Sequence, residues 1–326
     1  MATIHDVARK AGVSVATVSR YFNHGYVGAK SRLQIELAIK NLDYHIDAVA
    51  RALNKKSSRT IGLIIPSITN PFFPELAQAV ENKATAHNYK LVLCNTGNSI
   101  RKEAEFINML AANYADGIIT ATGNCSEIYK ELKFPVVSID RKLEGDFIHV
   151  DSDNSEGGRI AVRHLYECGC RNILFIRQKS DTASLMDRQS GFIDEAGRLK
   201  IKYDIYKFVQ DDINEVLDKN HKMLIKYDGI FAWNDITAIR VLHTCCKHNI
   251  QVPGELMLIG YDNIYMSRMI IPMLTTISQN IYGMGEAGIG ILLDLIEGKT
   301  PLPEATTLNV ELLKRETTKL YINNEI

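Results

Sequence analysis

The chain has 326 residues, of which 46% are hydrophobic and 23% charged; this is close to the soluble globular average and excludes a collagen-like, extensively disordered or membrane-embedded protein. At ~100–200 residues per domain there is room for two or three folding units. The formal net charge is zero, which taken alone argues against a polyanionic partner.

That total hides an asymmetry. Residues 1–59 carry ten Lys/Arg against four Asp/Glu, a net +6, and residues 60–326 therefore carry −6. A small basic head on a larger acidic body is expected when one segment touches a polyanion and the rest performs another task. The longest apolar runs, such as Ile61–Pro66, fall far short of the ~18–20 residues of a membrane span, so no membrane partner is expected. The start, Met1-Ala2-Thr3-Ile4-His5-Asp6, lacks the pattern of a secretory signal and points to the cytoplasm. The six cysteines show neither a CxxC pair nor a zinc-type spacing; reduced, mostly buried thiols are expected, with no metal and no cofactor.

From the N-terminus, Thr3-x-x-Asp6 caps a first helix, on which Ile4, Val7, Ala8 and Ala11 share one face at helical spacing. Gly12 breaks it, and Ser14 caps a second helix over Val15–Arg20. Two short helices about a tight glycine turn form a helix-turn-helix. On the second helix Val18 and Phe22 are expected inside, and Val15, Ala16, Ser19 and Arg20 outside. Small apolar groups meet thymine methyls and an arginine meets guanine in the major groove of DNA. A third amphipathic helix is expected from about Ser31 to Leu42, with Ile35, Ala38, Ile39 and Leu42 buried. An ordinary helical bundle is the competing reading; the cap, break and cap beside a +6 charge favour DNA.

Thr3-Ile4-His5-Asp6-Val7-Ala8, Ala11–Arg20 and Asn23 resemble the head of the lactose-repressor (LacI) family of bacterial transcription regulators, in a dense match over some twenty residues. The resemblance implies that Val15, Ala16 and Arg20 read bases and that Thr17, Ser19 and Asn23 lie near the phosphate backbone, with Thr3 and Ser14 at the helix starts completing the set. Asp47–Leu53 resembles the family's hinge helix, which implies that Leu53 wedges into the minor groove, beside Arg51. Independently, a leucine amid Arg51, Lys55 and Lys56 is apolar surface without a visible core, and such wedges kink DNA; a linker leucine packed on the body is the alternative. The family's Tyr-x-Pro-Asn before the hinge is replaced by Tyr44-His45-Ile46-Asp47, so Asp47 is left to cap it.

Beyond residue 60, apolar runs alternate with helical stretches: Ile61–Ile65, Glu75–His87, Lys90–Cys94, Arg101–Asn113, Gly117–Thr120 and Pro135–Ile139, then Asn172–Ile176, Gly229–Ala232, Leu256–Gly260 and Thr275–Ser278. This indicates parallel sheets with crossover helices, too many for one sheet. The expected fold is a small all-α head plus an α/β body of two doubly wound parallel-sheet lobes, periplasmic-binding-protein-like, with a ligand cleft between the lobes. The expected division is a head at 1–46, a hinge and linker at 47–59, and a body at 60–326. The N-lobe would take about 60–155 and 281–310, and the C-lobe about 156–280 and 311–326.

Polar residues just past strand ends converge on such a cleft. Asn70-Pro71-Phe72-Phe73, Asp140-Arg141, Asn234-Asp235 and Asp262-Asn263 each follow a strand, and Arg188 sits in Asp187–Gly191. Aromatic faces with Asp, Asn and Arg suit a polyhydroxylated ring, although single strand-end residues also serve as helix caps. The body resembles the family's effector domain, itself similar to periplasmic sugar-binding proteins. That resemblance implies a sugar site at Phe72, Phe73, Asp140, Arg141, Arg188, Asn234, Asp262 and Gln279, with Asn70 a weaker member and Trp233 either cleft wall or lobe core. It further implies a furanose-containing effector, ribose or a sucrose-type fructoside.

No Walker-type loop, GxSxG or HExxH is present, and Gly283–Gly288 follows no convincing strand of a dinucleotide fold. Asp140 and Asp262 could pair as acid and base, but a sugar clamp uses the same residues, so no enzyme is expected. The reading is a homodimeric repressor of a sugar-utilisation operon, with double-stranded operator DNA and a small sugar as partners. A cytosolic sugar-binding protein and a corepressor-dependent regulator with a non-sugar effector are the alternatives. No leucine-heptad tail follows Thr318, which favours a dimer over a tetramer.

Overall fold

A computed structural model of the chain describes residues 2–22, 25–44, 57–209, 213–299 and 305–319. The chain forms two compact units, Met1–Ser58 and Arg59–Ile326.

The first unit holds α1 (Ile4–Ala11), α2 (Val15–Phe22) and α3 (Ala29–Leu42). Thr3 and Asp6 form a reciprocal capping box: the Thr3 hydroxyl accepts from the Asp6 amide and the Asp6 carboxylate accepts from the Thr3 amide at 2.9 Å. Gly12 ends α1 at φ 63°, a left-handed conformation that costs glycine nothing. The Ser14 hydroxyl then accepts from the Thr17 amide at 3.1 Å, which leaves only two residues of turn between α1 and the cap of α2. Val7, Ala8 and Ala11 of α1, Val18 of α2, and Ile35 and Ala38 of α3 close one buried core. The helix α3 begins at Ala29, two residues before the expected Ser31, because Ala29 and Lys30 are both strong helix formers.

The second unit contains two six-stranded sheets. One runs in the order β11-β5-β4-β3-β1-β2, from β1 (Thr60–Ile65), β2 (Lys90–Asn95), β3 (Gly117–Thr120), β4 (Val136–Ile139), β5 (Ile148–Ser152) and β11 (Ala305–Leu308). All of its pairings are parallel. The other runs in the order β12-β10-β9-β8-β6-β7, from β6 (Asn172–Gln178), β7 (Lys202–Phe208), β8 (Gly229–Ala232), β9 (Met257–Asp262), β10 (Thr275–Ser278) and β12 (Glu311–Leu313). It is parallel except for the antiparallel β10–β12 edge. In each sheet the second strand lies outside the first and the third lies on its other side, so the order reverses between β1 and β3 and between β6 and β8. Ligands of doubly wound sheets bind at such reversals, beyond the carboxyl ends of the strands.

The chain crosses between the sheets three times, after Ser152, between Ser278 and Ile281, and between Leu308 and Glu311. Each lobe therefore closes a core of its own from discontinuous segments. In the first lobe the Ile281–Ile296 helix packs on the Phe72–Ala86 helix: a Cβ at Gly285 would lie 2.6 Å from the Ala79 Cβ and 3.0 Å from the Leu76 carbonyl. Within Gly283–Gly288, Gly285 thus serves helix packing, while Gly288 lets the helix approach Ile139 of β4. Four strands were absent from the expected set, β5, β7, β11 and β12. The helix expected from Glu75 begins at Phe72, since Pro71 presets the backbone for helix entry and the Asn70 carboxamide accepts from the Phe72 amide.

Candidate functional site

Two sites follow from these folds. In the head, Ala16 and Arg20 are exposed on α2, with Thr17 and Ser19 half-buried between them. Thr3 and Ser14 sit exposed at the two helix starts, engaged in their caps. Val15 departs from the expected orientation. It is half-buried and packs on the head core, because it lies three residues before the buried Val18 and so shares its face. The outward surface of α2 is therefore carried by Ala16 and Arg20. Asn23, and Arg51 and Leu53 in the 47–53 hinge, lie outside the described residues.

The second site is a cavity of about 50 Å³ between the two lobes of the body. It gathers all nine residues singled out for the effector: Asn70, Phe72 and Phe73 after β1, Asp140 and Arg141 after β4, and Arg188, Asn234, Asp262 and Gln279 from the other lobe and its crossover. Trp233 also lines it, while packing partly into the core of the second lobe and donating its indole N–H to the Thr237 hydroxyl at 2.8 Å. Thr182, Ser184 and Leu185 line it as well and had not been singled out. They open the helix that carries Arg188, and Thr and Ser at a helix start give no ligand signal of their own because they are common caps.

Local geometry fixes each side chain. Phe72 and Phe73 are edge to face, 5.0 Å apart at 83°, and form the apolar wall. Asp140 sits at φ 64° directly after its strand, which turns its carboxylate out of the sheet. Asn234 caps the Asp235–Lys247 helix, its Oδ1 accepting from the Thr237 amide at 2.9 Å. Gln279 donates through Nε2 to Asp262 Oδ1 at 2.5 Å and accepts through Oε1 from the Ser152 hydroxyl at 2.8 Å, so two of the three crossovers meet at one amide. Asp235 instead points into the second lobe, accepting from the Thr276 hydroxyl and the Ile264 amide, and Asn263 accepts from Arg315.

Arg188 is 4% exposed, and a guanidinium that deep requires partners. It donates to Asn154 Oδ1 at 2.7 Å and to the Trp233 carbonyl, and it lies over the Tyr261 ring, 3.3 Å from the centroid. These partners are neutral, so its charge acts on the carboxyls nearby. Burial pushes the Asp262 carboxyl well above the usual range, with Arg188 opposing. Burial and then the Asp151 charge raise Asp140, with Arg141 and Arg188 opposing. Two carboxyls, two guanidiniums, three amides and an aromatic pair therefore converge on one small space. They offer donors, acceptors and a face to stack on. The described residues include no cluster of three His, Cys, Asp or Glu able to hold a metal, and no helix among them is long and apolar enough to cross a membrane.

A helix-turn-helix head on a two-lobed cleft protein is the construction of a ligand-responsive DNA-binding regulator. Residues 3–47 match the bacterial regulatory proteins of the lacI family and residues 162–318 match the periplasmic binding protein-like domain. The chain belongs to the lacI family. It is 37% identical to the ribose operon repressor of Halalkalibacterium halodurans, covering 100% of this chain and 99% of that one. It is 35% identical to the sucrose operon repressor of Streptococcus mutans, covering 97% and 99%. Among solved structures, a periplasmic binding protein/LacI transcriptional regulator from Alkaliphilus metalliredigens complexed with D-xylulofuranose is 36% identical. It superposes with a TM-score of 0.77 over 80% of this chain and 99% of that one.

Proposed function

We propose that the chain represses a sugar-utilisation operon: as a homodimer it binds operator DNA, and a small furanose-type sugar in the cleft releases it. The observation that carries this reading is the convergence of Phe72, Phe73, Asp140, Arg141, Arg188, Asn234, Asp262 and Gln279 on one cavity. Sugar C–H faces stack on aromatic rings, and sugar hydroxyls pair with carboxylates, amides and guanidiniums. The ribose and sucrose repressors among its relatives and the xylulofuranose held by a homologous body support the same chemistry. Here the protein works in the cytosol and by binding, not by catalysis.

The division of labour is a head at 1–46, a hinge at 47–59 and a body at 60–326. In the head Ala16 and Arg20 read base edges with Val15 at the margin. Thr3, Ser14, Thr17, Ser19 and Asn23 hold the phosphate backbone, and Arg51 and Leu53 act in the minor groove. Two heads read half-sites about one helical turn apart. A sugar that bonds residues of both lobes binds the closed arrangement best and draws the population toward it. If that arrangement disfavours the DNA-bound form, operator affinity falls.

The test is a gel-shift titration of the full chain against the promoter beside its own gene, with ribose, fructose and sucrose added in turn. A shift reversed by one of these sugars is expected; no shift even at low salt would reject the head assignment. Arg188→Ala should keep the shift and lose the sugar response by a hundredfold or more, since it removes a charged ligand-bonding group from a buried site. Loss of DNA binding as well would mean that the two roles are not separable.

A further inference from the structure

The sugar cavity is not closed on all sides. It shares Asn70, Phe73, Arg141, Trp233 and Asn234 with a second, larger chamber of about 120 Å³, so a single ligand can span both. The chemistry of the two chambers differs. In the inner one two carboxyls, Asp140 and Asp262, stand beside two guanidiniums, Arg141 and Arg188. The outer one is lined among the described residues by Arg141 and by a further arginine, Arg240, with no carboxylate. Arg240 is half-buried, and no hydrogen bond or ion pair engages its guanidinium among the described residues. Neutral polar groups line the same chamber: the Ser67 and Thr69 hydroxyls, which pair with each other at 2.9 Å, and Asn98, whose Oδ1 accepts from Arg141 at 3.2 Å.

We propose that this outer chamber is a second subsite, which takes the phosphoryl group of a phosphorylated furanose whose ring lies in the inner cavity. The inference rests on the sugar reading above and narrows it from neutral sugars to sugar phosphates. A neutral second ring would cover the Arg240 charge without a counter-ion, and desolvating an uncompensated guanidinium is costly. A neutral ring also prefers carboxylate acceptors for its hydroxyls, and those are confined to the inner cavity. A phosphoryl group supplies what is missing: acceptor oxygens and negative charge for a planar guanidinium fork that matches its geometry. The Ser67 and Thr69 hydroxyls add neutral donors beside the two guanidiniums.

Calorimetric titration of the full-length protein in paired comparisons tests the proposal, using ribose against ribose 5-phosphate and fructose against fructose 6-phosphate, with sucrose as a larger neutral ligand. At least one ester should bind tenfold or more tighter than its parent. Arg240→Gln should abolish that preference and leave the parent sugar within twofold, while Arg240→Lys should keep much of it. In the unmodified chain the preference should shrink as salt is raised, whereas parent-sugar affinity should not move; this readout stands even where a variant fails to fold. Neutral sugars that bind as well as both esters, a preference that survives Arg240→Gln, or sucrose outcompeting both esters would each overturn the phosphoryl subsite and leave the sugar reading intact. Binding of none of the five ligands would overturn both.

Discussion

At Asp262 a carboxyl sits where charge is poorly solvated. Burial raises its pKa well above the usual range, the Asp235 and Asp140 charges push the same way, and Arg188 and the Gln279 amide oppose them. An empty cleft thus tends to keep a proton that an open carboxyl would have lost. A sugar hydroxyl that donates to the carboxylate favours the ionised form and drives the proton off. Binding should therefore release protons, and affinity should weaken as pH falls through the raised pKa. Calorimetry across a pH series in two buffers of different ionisation enthalpy reads this directly: a buffer-dependent heat is expected within the window between the ordinary and the raised pKa, and Asp262→Asn should reduce it. The stability sign follows from the same shift. Between the ordinary and the raised pKa the folded chain binds more protons than the unfolded one, so this group costs stability as pH rises through that window. Across a pH series the melting temperature of the ligand-free protein should fall as pH rises through that window, with a slope that Asp262→Asn flattens; an unchanged slope would rule out Asp262 as the titrating group.

These residues were legible because a strand's carboxyl end is a marked place. Asp140, Asn234 and Asp262 each stand directly after a continuous apolar run, at or just past the last residue of a strand, where a side chain can turn toward the sheet reversal. Thr182, Ser184 and Leu185 carried no such mark. The inward lean of the half-buried Val15 has no separate mark, because a valine at the start of a short helix satisfies both the core pattern and the groove pattern.

Among elements, the shortest depend most on their ends. An eight-residue helix has few internal hydrogen bonds, so α1 relies on the Thr3–Asp6 box and the Gly12 stop, and α2 on Ser14. Removing a side-chain cap costs about 1 kcal/mol, a large share of the stability of so small a unit. Thr3→Ala and Ser14→Ala should each weaken operator binding and lower the melting of the head by about 4–8 °C, with sugar affinity unchanged. Circular dichroism melts beside sugar titrations check both halves of that statement. In the body the corresponding weak point is a close approach. Gly285→Val would drive side-chain atoms into Ala79 and the Leu76 carbonyl, and overpacking of this kind costs typically 1–3 kcal/mol. Denaturant unfolding should show the loss.

The same contrast explains which elements the sequence announces. Central strands buried on both faces, such as β1 and β3, are continuous apolar runs and stand out. The edge strand β7 reads Lys202-Tyr203-Asp204-Ile205-Tyr206-Lys207-Phe208 and is mostly exposed. Its charges protect an open edge from pairing with other chains, which erases the apolar signal. Both β11 and β12 are short edge strands that follow a crossover; β11 is held by β5, more than 150 residues earlier, and β12 by β10, across the whole Ile281–Ile296 helix and β11. Nothing local in the sequence encodes those pairings.

For the molecule as a whole, thermodynamics constrains the switch. If sugar lowers operator affinity by some factor, operator must lower sugar affinity by the same factor, because both are legs of one cycle. Couplings of this kind typically span about 5–150-fold. Sugar titrations with and without saturating operator duplex should therefore give dissociation constants whose ratio equals the ratio of operator affinities measured with and without sugar. The +6 head adds an independent handle, since counterion release makes DNA affinity fall steeply with salt, while the affinity of a neutral ligand does not. Raising salt should then strip operator from the protein and restore the sugar affinity of the DNA-free chain. Unequal ratios would show that sugar and operator do not act on one shared equilibrium, and the repressor would need a third state to account for them.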